Sequence, residues 1–221
     1  MGQTVTLRAA DGHTLSAYRS GPDDAGRSLV VVQEIFGVNG HIRKVCDQFA
    51  AEGYTAIAPA LFDRVEPGAE LGYDEDGIAR GRALRMKLTE QDVLADVEAA
   101  AGQLPGDRTG IVGYCFGGTV AWFGATRTQR FAAASCWYGG GIAAARAEKP
   151  NCPVQMHFGE QDASIPMGDV ETIRAAQPNA EIYVYRGARH GFGCDERESF
   201  SPNDYELARR RTLAFFATHL R

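Results

Sequence analysis

The chain has 221 residues, 44% of them hydrophobic and 23% charged. That suffices for one sizeable core and is short for two ordinary domains, so a single domain over residues 1–221 is expected. Lys and Arg number 23 against 28 for Asp and Glu, a net charge of -5, which argues against a basic face for nucleic acid. No apolar run reaches the ~20 residues needed to span a bilayer, and no basic-then-apolar leader opens the chain. A cytoplasmic protein without membrane or nucleic-acid partners is expected.

From the N-terminus, Gly2 and Thr6 fit the short myristoylation motif with Met1, but residues 4–7 alternate like a first strand, and the strand reading is preferred. Residues 4–9 and 14–19, joined by Asp11-Gly12, predict an antiparallel hairpin. The run Leu29-Val30-Val31-Val32 suits a central parallel strand buried on both faces. Ile42, Val45, Cys46 and Phe49 recur at helical spacing, and Gly53 supplies the stop. Residues 55–58 form the next strand, ended by Pro59; residues 63–77, rich in Gly, Pro and Asp, predict a surface excursion.

Helices are expected over 78–87 and 91–103, with a turn at 105–107. Strand and helix then alternate: strand 109–114, helix 116–125, strands 132–137 and 154–158, helix 170–176 and strand 181–185. A last helix starts at Ser201-Pro202, a good cap with Pro in the first turn, and runs to about residue 219. The pattern describes an α/β domain with an antiparallel start to a mostly parallel sheet.

The chemistry concentrates at Gly113-Tyr114-Cys115-Phe116-Gly117-Gly118, where a predicted strand meets a predicted helix. This is the Gly-x-nucleophile-x-Gly elbow with Cys in the nucleophile position. Side chains at 113 and 117 would crowd the neighbouring strand or helix, and the helix N-terminus favours a thiolate. A small core cysteine beside a helix-packing turn is the bland alternative. Elbow hydrolases carry their acid and histidine downstream, in that order. Asp162 follows one predicted strand and His190 the next, so both fall at the sheet edge where Cys115 must lie; Glu160 is a rival acid. Asp162 would orient His190, which would take or hold the thiol proton. After the central strand, the backbone N–H of Ile35 is expected to pair with that of Phe116 as an oxyanion hole. Glu34 is unusual there, since a buried carboxylate is costly, and it reads either as solvent-facing or as poised against the Cys115 thiol.

Five cysteines, at 46, 115, 136, 152 and 194, are an odd number, best read as reduced thiols. Cys46, Cys136 and Cys152 are expected as small core residues. No Cys-x-x-Cys occurs and His190 with Cys194 lacks a second pair, so no metal site is expected.

Glu34-Ile35-Phe36-Gly37-Val38-Asn39, the Cys115 elbow, Asp162 and His190-Gly191-Phe192 together resemble the dienelactone hydrolases (carboxymethylenebutenolidases). The likeness spans nearly the whole chain, including Asp11-Gly12-His13, residues 58–62 and residues 96–100. It implies an α/β-hydrolase fold with helices on both faces of the sheet, and cofactor-free opening of a lactone through a thioester. Cys115 would be nucleophile, His190 base and Asp162 its orienter, with Glu34 holding the resting thiol and helping form the thiolate when an anionic substrate arrives.

The family's best-known members grip the substrate carboxylate with two arginines. One lies four residues past the histidine, where this chain has Cys194; the other lies in the helix after the excursion, where Arg80 and Arg82 are the candidates. Arg189 and Arg197 are nearby substitutes, for which ordinary surface placement is expected. The expected partner is a small anionic lactone or ester, and the expected assembly a monomer or weak homodimer. The alternatives are a broad carboxylesterase and a non-catalytic binding or redox-sensing protein.

Overall fold

The computed structural model describes residues 2–106 and 108–221, so Met1 of the lipidation motif and Asp107 of the predicted turn lie outside the described residues. Among the described residues, eight strands form one sheet: β1 (Gln3–Arg8), β2 (Thr14–Ser20), β3 (Ser28–Val32), β4 (Thr55–Pro59), β5 (Thr109–Tyr114), β6 (Ala133–Trp137), β7 (Val154–Gly159) and β8 (Glu181–Tyr185). Their spatial order is β1-β2-β4-β3-β5-β6-β7-β8. β1 and β2 form the expected hairpin, β2 runs antiparallel to β4, and every later pairing is parallel. β3 to β7 are buried along their whole length, as continuous apolar runs demand when helices cover both faces.

The described residues also form six α-helices: α1 (Gly40–Ala51), α2 (Glu75–Arg85), α3 (Glu90–Gly102), α4 (Phe116–Arg127), α5 (Met167–Ala176) and α6 (Pro202–His219). α1 and α6 share one face, tied by Tyr205 to Gln48 at 2.8 Å and Arg209 to Glu52 at 2.8 Å. α3 and α4 pack together on the other. Asn39 caps α1 through Ile42 N–H, and Thr89 with Asp92 forms a reciprocal capping box on α3. Arg64, in the single turn that follows β4, grips the fully buried Asp96 of α3 through two 2.8 Å bonds.

The strand order reverses between β3 and β5. After β3 the chain steps outward to β4, then returns to place β5 on the opposite side of β3. Loops leaving the carboxyl ends of such neighbours splay apart and open a crevice, the usual ligand site of open α/β sheets. The loop after β3 begins at Gln33 and Glu34, and the loop after β5 is Cys115 itself. Gln33 is wholly buried and anchors its loop, accepting a bond from Leu61 N–H at 3.1 Å.

The excursion at residues 63–77 departs from the expectation of a mere surface loop. Leu71 N–H bonds the Phe36 carbonyl at 2.9 Å, and the chain then returns α2 across the crevice. Gly81 lets α2 lie directly on the Ile35 carbonyl, where a Cβ would collide with it.

At the elbow backbone packs directly on backbone. A Cβ at Gly117 would sit 2.6 Å from the Gln33 carbonyl and closer still to that of Val32; one at Gly113 would strike the Gly117 carbonyl. Gly113→Ala should therefore cost more than about 3 kcal/mol of unfolding free energy, because rigid backbone lies on both sides. Gly102→Ala, at the end of α3 with open space around it, should instead stabilise by up to about 1 kcal/mol. Urea unfolding of the two variants checks the contrast.

Candidate active site

Cys115 sits between β5 and α4 with φ 56° and ψ -115°, a left-handed conformation that costs a non-glycine residue about 1–3 kcal/mol. Its N–H is tied to the Trp137 carbonyl at 3.0 Å, which helps hold the strained turn. The side chain is thereby thrown up at the carboxyl edge of the sheet, at the N-terminus of α4.

Two loops bring the partners. Asp162 follows β7; its side chain is fully buried, and one carboxylate oxygen accepts Ser164 N–H at 2.8 Å. His190 follows β8 in a loop pinned by Phe192, which is fully buried and stacks on Trp137 at 5.7 Å. The result is a hydrogen-bonded row: Asp162 Oδ2 to His190 Nδ1 at 2.7 Å, and His190 Nε2 to Cys115 Sγ at 3.1 Å. Tyr138, itself at φ 38°, packs edge-on against the imidazole at 5.2 Å. Glu160 faces away and accepts Gly187 N–H, so Asp162 alone of the two acids meets the histidine. Burial by itself would lower the His190 pKa, but the hydrogen bonds to Asp162 and Cys115 outweigh it and hold the imidazole up at about 10.

The row opens on a pocket of about 340 Å³, lined by Ile35 and Phe36 from the β3 loop, Phe116 and Thr119 from α4, and a positive rim. Phe116 is the first residue of α4, so its N–H has no partner within the helix, and Ile35 faces it across the crevice. These are the two residues expected to supply oxyanion donors.

The arginines fall out differently from expectation. Arg80 is not in the pocket; it pairs with Glu66 on the surface. On α2 the residues facing the pocket are Ile78, Arg82 and Arg85, spaced four and three apart, and two positions from Ile78 turns Arg80 to the other side. Arg82 therefore stays as a candidate and Arg85 joins it, its guanidinium lying over the Phe116 ring at 5.3 Å. Arg197 is not a surface residue either. It threads over Gly191, lines the pocket and donates to Glu34 Oε1 at 3.1 Å, with a side chain only 18% exposed. Arg189 is the exposed one, bonded to the Glu198 carbonyl.

Glu34 is 1% exposed, so the solvent-facing reading fails. Its partner in this arrangement is Arg197, while the Cys115 thiol is held by His190. A buried carboxylate needs such a partner, since removing one member of a buried pair costs about 3–5 kcal/mol. Cys194 is fully buried beside this pair, and Cys46 and Cys136 lie in the core, with Cys152 partly buried against it.

Comparison with known proteins finds relatives over nearly the whole chain. Residues 15–220 match the dienelactone hydrolase family. A Synechocystis protein provisionally described as a carboxymethylenebutenolidase is 40% identical over 213 residues, covering 87% of this chain and 86% of its own. An Escherichia coli protein of the same provisional description is 36% identical, covering 94% and 83%. A crystal structure of a provisionally described dienelactone hydrolase from Klebsiella pneumoniae superposes with a TM-score of 0.82 at 33% identity, covering 97% of this chain and 99% of that one. The sheet is thus that of the α/β-hydrolase fold, and the chain belongs to the dienelactone hydrolase family of hydrolases.

Proposed function

We propose that this hydrolase opens dienelactone-type lactones, or small activated esters, through a thioester on Cys115. The observation that carries this reading is the Asp162–His190–Cys115 row ending at a strained elbow in the pocket wall. A histidine held protonated through neutral pH suits a thiolate–imidazolium pair, the form in which a cysteine attacks. The Cys115 thiolate adds to the lactone carbonyl, and the N–H groups of Ile35 and Phe116 receive the oxyanion. Collapse breaks the ring C–O bond, and the departing enolate takes its proton from His190. Neutral His190 then takes a proton from water as that water attacks the thioester, and the thiolate leaves beside a reprotonated imidazole.

Thiolates expel good leaving groups such as enolates and expel amides poorly, which disfavours peptide substrates. Arg82, Arg85 and Arg197 converge on the same pocket, which favours an anionic substrate over a neutral ester. A substrate carboxylate that engages Arg197 competes with Glu34 for it. Glu34 released in this way can take the proton from those molecules in which Cys115 is still a thiol and so shift the population towards the thiolate, the role that the family resemblance suggests. Five free thiols suit a reducing cytoplasm as the place of work.

Cys115→Ala and His190→Ala should each lower hydrolysis of an anionic lactone roughly 10³-fold or more, as members of one unit do. Wild-type turnover by Cys115→Ala would overturn the mechanism. Glu34→Gln should lower kcat roughly 10²-fold with an unchanged circular dichroism spectrum. The double variant Arg82→Ala/Arg85→Ala should raise KM for an anionic lactone and leave p-nitrophenyl acetate hydrolysis nearly untouched; equal effects on both would favour a broad carboxylesterase.

The raised His190 pKa also has a stability consequence. Its contribution is fully present below the ordinary imidazole value of 6.5 and is lost as pH rises through about 10. The stability gap between wild type and Asp162→Asn should therefore be widest around pH 6 and close towards pH 10, as followed by urea unfolding.

A further inference from the structure

Beside the pocket lies a second cluster that the reaction above leaves largely unused. We propose that Glu34, His41 and Cys194 form a binding site for one transition-metal ion of the zinc type. One ligand atom from each lies within 4.8 Å of the other two. Exposure is 1% for Glu34, 3% for His41 and nil for Cys194, so none is a surface coincidence.

The polar atoms there are orphaned. Glu34 Oε2 and both ring nitrogens of His41 have no hydrogen-bond partner among the described residues. Each buried orphan costs about 1–3 kcal/mol, and finding several of them around one thiol calls for a ligand they share. The donor set of one imidazole nitrogen, one sulfur and one carboxylate oxygen suits zinc or cobalt and is wrong for magnesium or calcium.

Asp195 Oδ1 lies 3.5 Å from His41 Nδ1 without a hydrogen bond between them, near enough for the carboxylate–histidine pairing common at zinc sites to form when Nε2 takes the ion. Burial pushes the Cys194 thiol up to about 12, so the free thiol stays protonated until an ion takes its place. Arg197 holds the other oxygen of Glu34.

On binding, the thiol proton of Cys194 passes to solvent and the sulfur–metal bond replaces it. The ion is then met by one thiolate and by one carboxylate that it shares with Arg197. Tetrahedral zinc ligands stand about 3.5 Å apart, so the side chains must draw in by about 1 Å. Short sequence spacing could not reveal this set, because it joins the end of β3, the first turn of α1 and the loop after β8. A bound ion takes hold of the carboxylate assigned to thiol activation and so brakes hydrolysis; that consequence rests on the functional reading above, whereas the binding does not.

Titration of chelator-treated protein with Co²⁺ tests the site without any assay of activity. One equivalent should produce thiolate-to-cobalt charge-transfer absorption and tetrahedral d–d bands, both bleached by Zn²⁺. The bands should persist in Cys115→Ser and vanish in Cys194→Ser. Asp195→Asn, a change at a partly exposed position, should weaken binding about 10- to 100-fold with the fold intact. Should Cys194→Ser fail to fold, Cys115→Ser and Asp195→Asn decide the matter. Bands absent from the wild type, bands lost in Cys115→Ser, or wild-type affinity in Asp195→Asn would overturn the proposal, whatever the fate of the hydrolase mechanism.

Discussion

The pocket depends on one close approach of backbone to backbone. α4 begins hard against the ends of β3 and β5, with Gly117 beneath the Val32 and Gln33 carbonyls and Gly113 beneath Gly117 itself. Only hydrogen fits at either position. That contact forces Cys115 into its left-handed conformation and aims the N-terminus of α4 at the crevice where the strand order reverses. Strain of about 1–3 kcal/mol at one residue is tolerable because five fully buried strands surround it and cannot relax. A flexible loop carrying the same cysteine could not hold its sulfur in a fixed relation to His190.

The second constraint is electrostatic. Glu34 lies at the end of a central strand, where burial is almost complete, and an unpaired carboxylate there would be prohibitively costly. Arg197 answers that need and serves the pocket as well, because its guanidinium lines the wall beside Cys115 and His190. One cation thus stands between a buried carboxylate and any anion entering the pocket. Competition for it offers a physical link between substrate arrival and the state of Glu34. The sequence resemblance leads one to expect an arginine at position 194; the chain has Cys194 there, and a guanidinium reaches the pocket from Arg197, three residues further along the same loop.

Chemistry carried by loops after successive strands was the readable part of the site. The β-branched runs at Leu29–Val32 and Ile111-Val112 mark strands, the glycines at 113 and 117 mark the elbow, and the positions of Asp162 and His190 after predicted strands place them at one sheet edge. These signals are local, and the parallel topology does the assembling. Arg80, Arg85 and Arg197 were not readable in the same way. The phase of α2 relative to the pocket depends on Gly81 seating that helix on the Ile35 carbonyl, which no spacing within α2 records. Arg197 sits in a loop without periodicity, where nothing local says which way a side chain turns.

The sequence by itself determined the order of strands and helices, the Gly-x-Cys-x-Gly turn at Cys115 and the placement of Asp162 and His190 after successive strands, because each rests on a pattern confined to a few consecutive residues. Tertiary structure alone decided that the excursion returns as a pocket wall, that Glu34 is buried against Arg197, and that Glu34, His41 and Cys194 meet. Those outcomes depend on the burial of charge and on distances between segments far apart in the chain. Neither quantity exists until the sheet has closed around them.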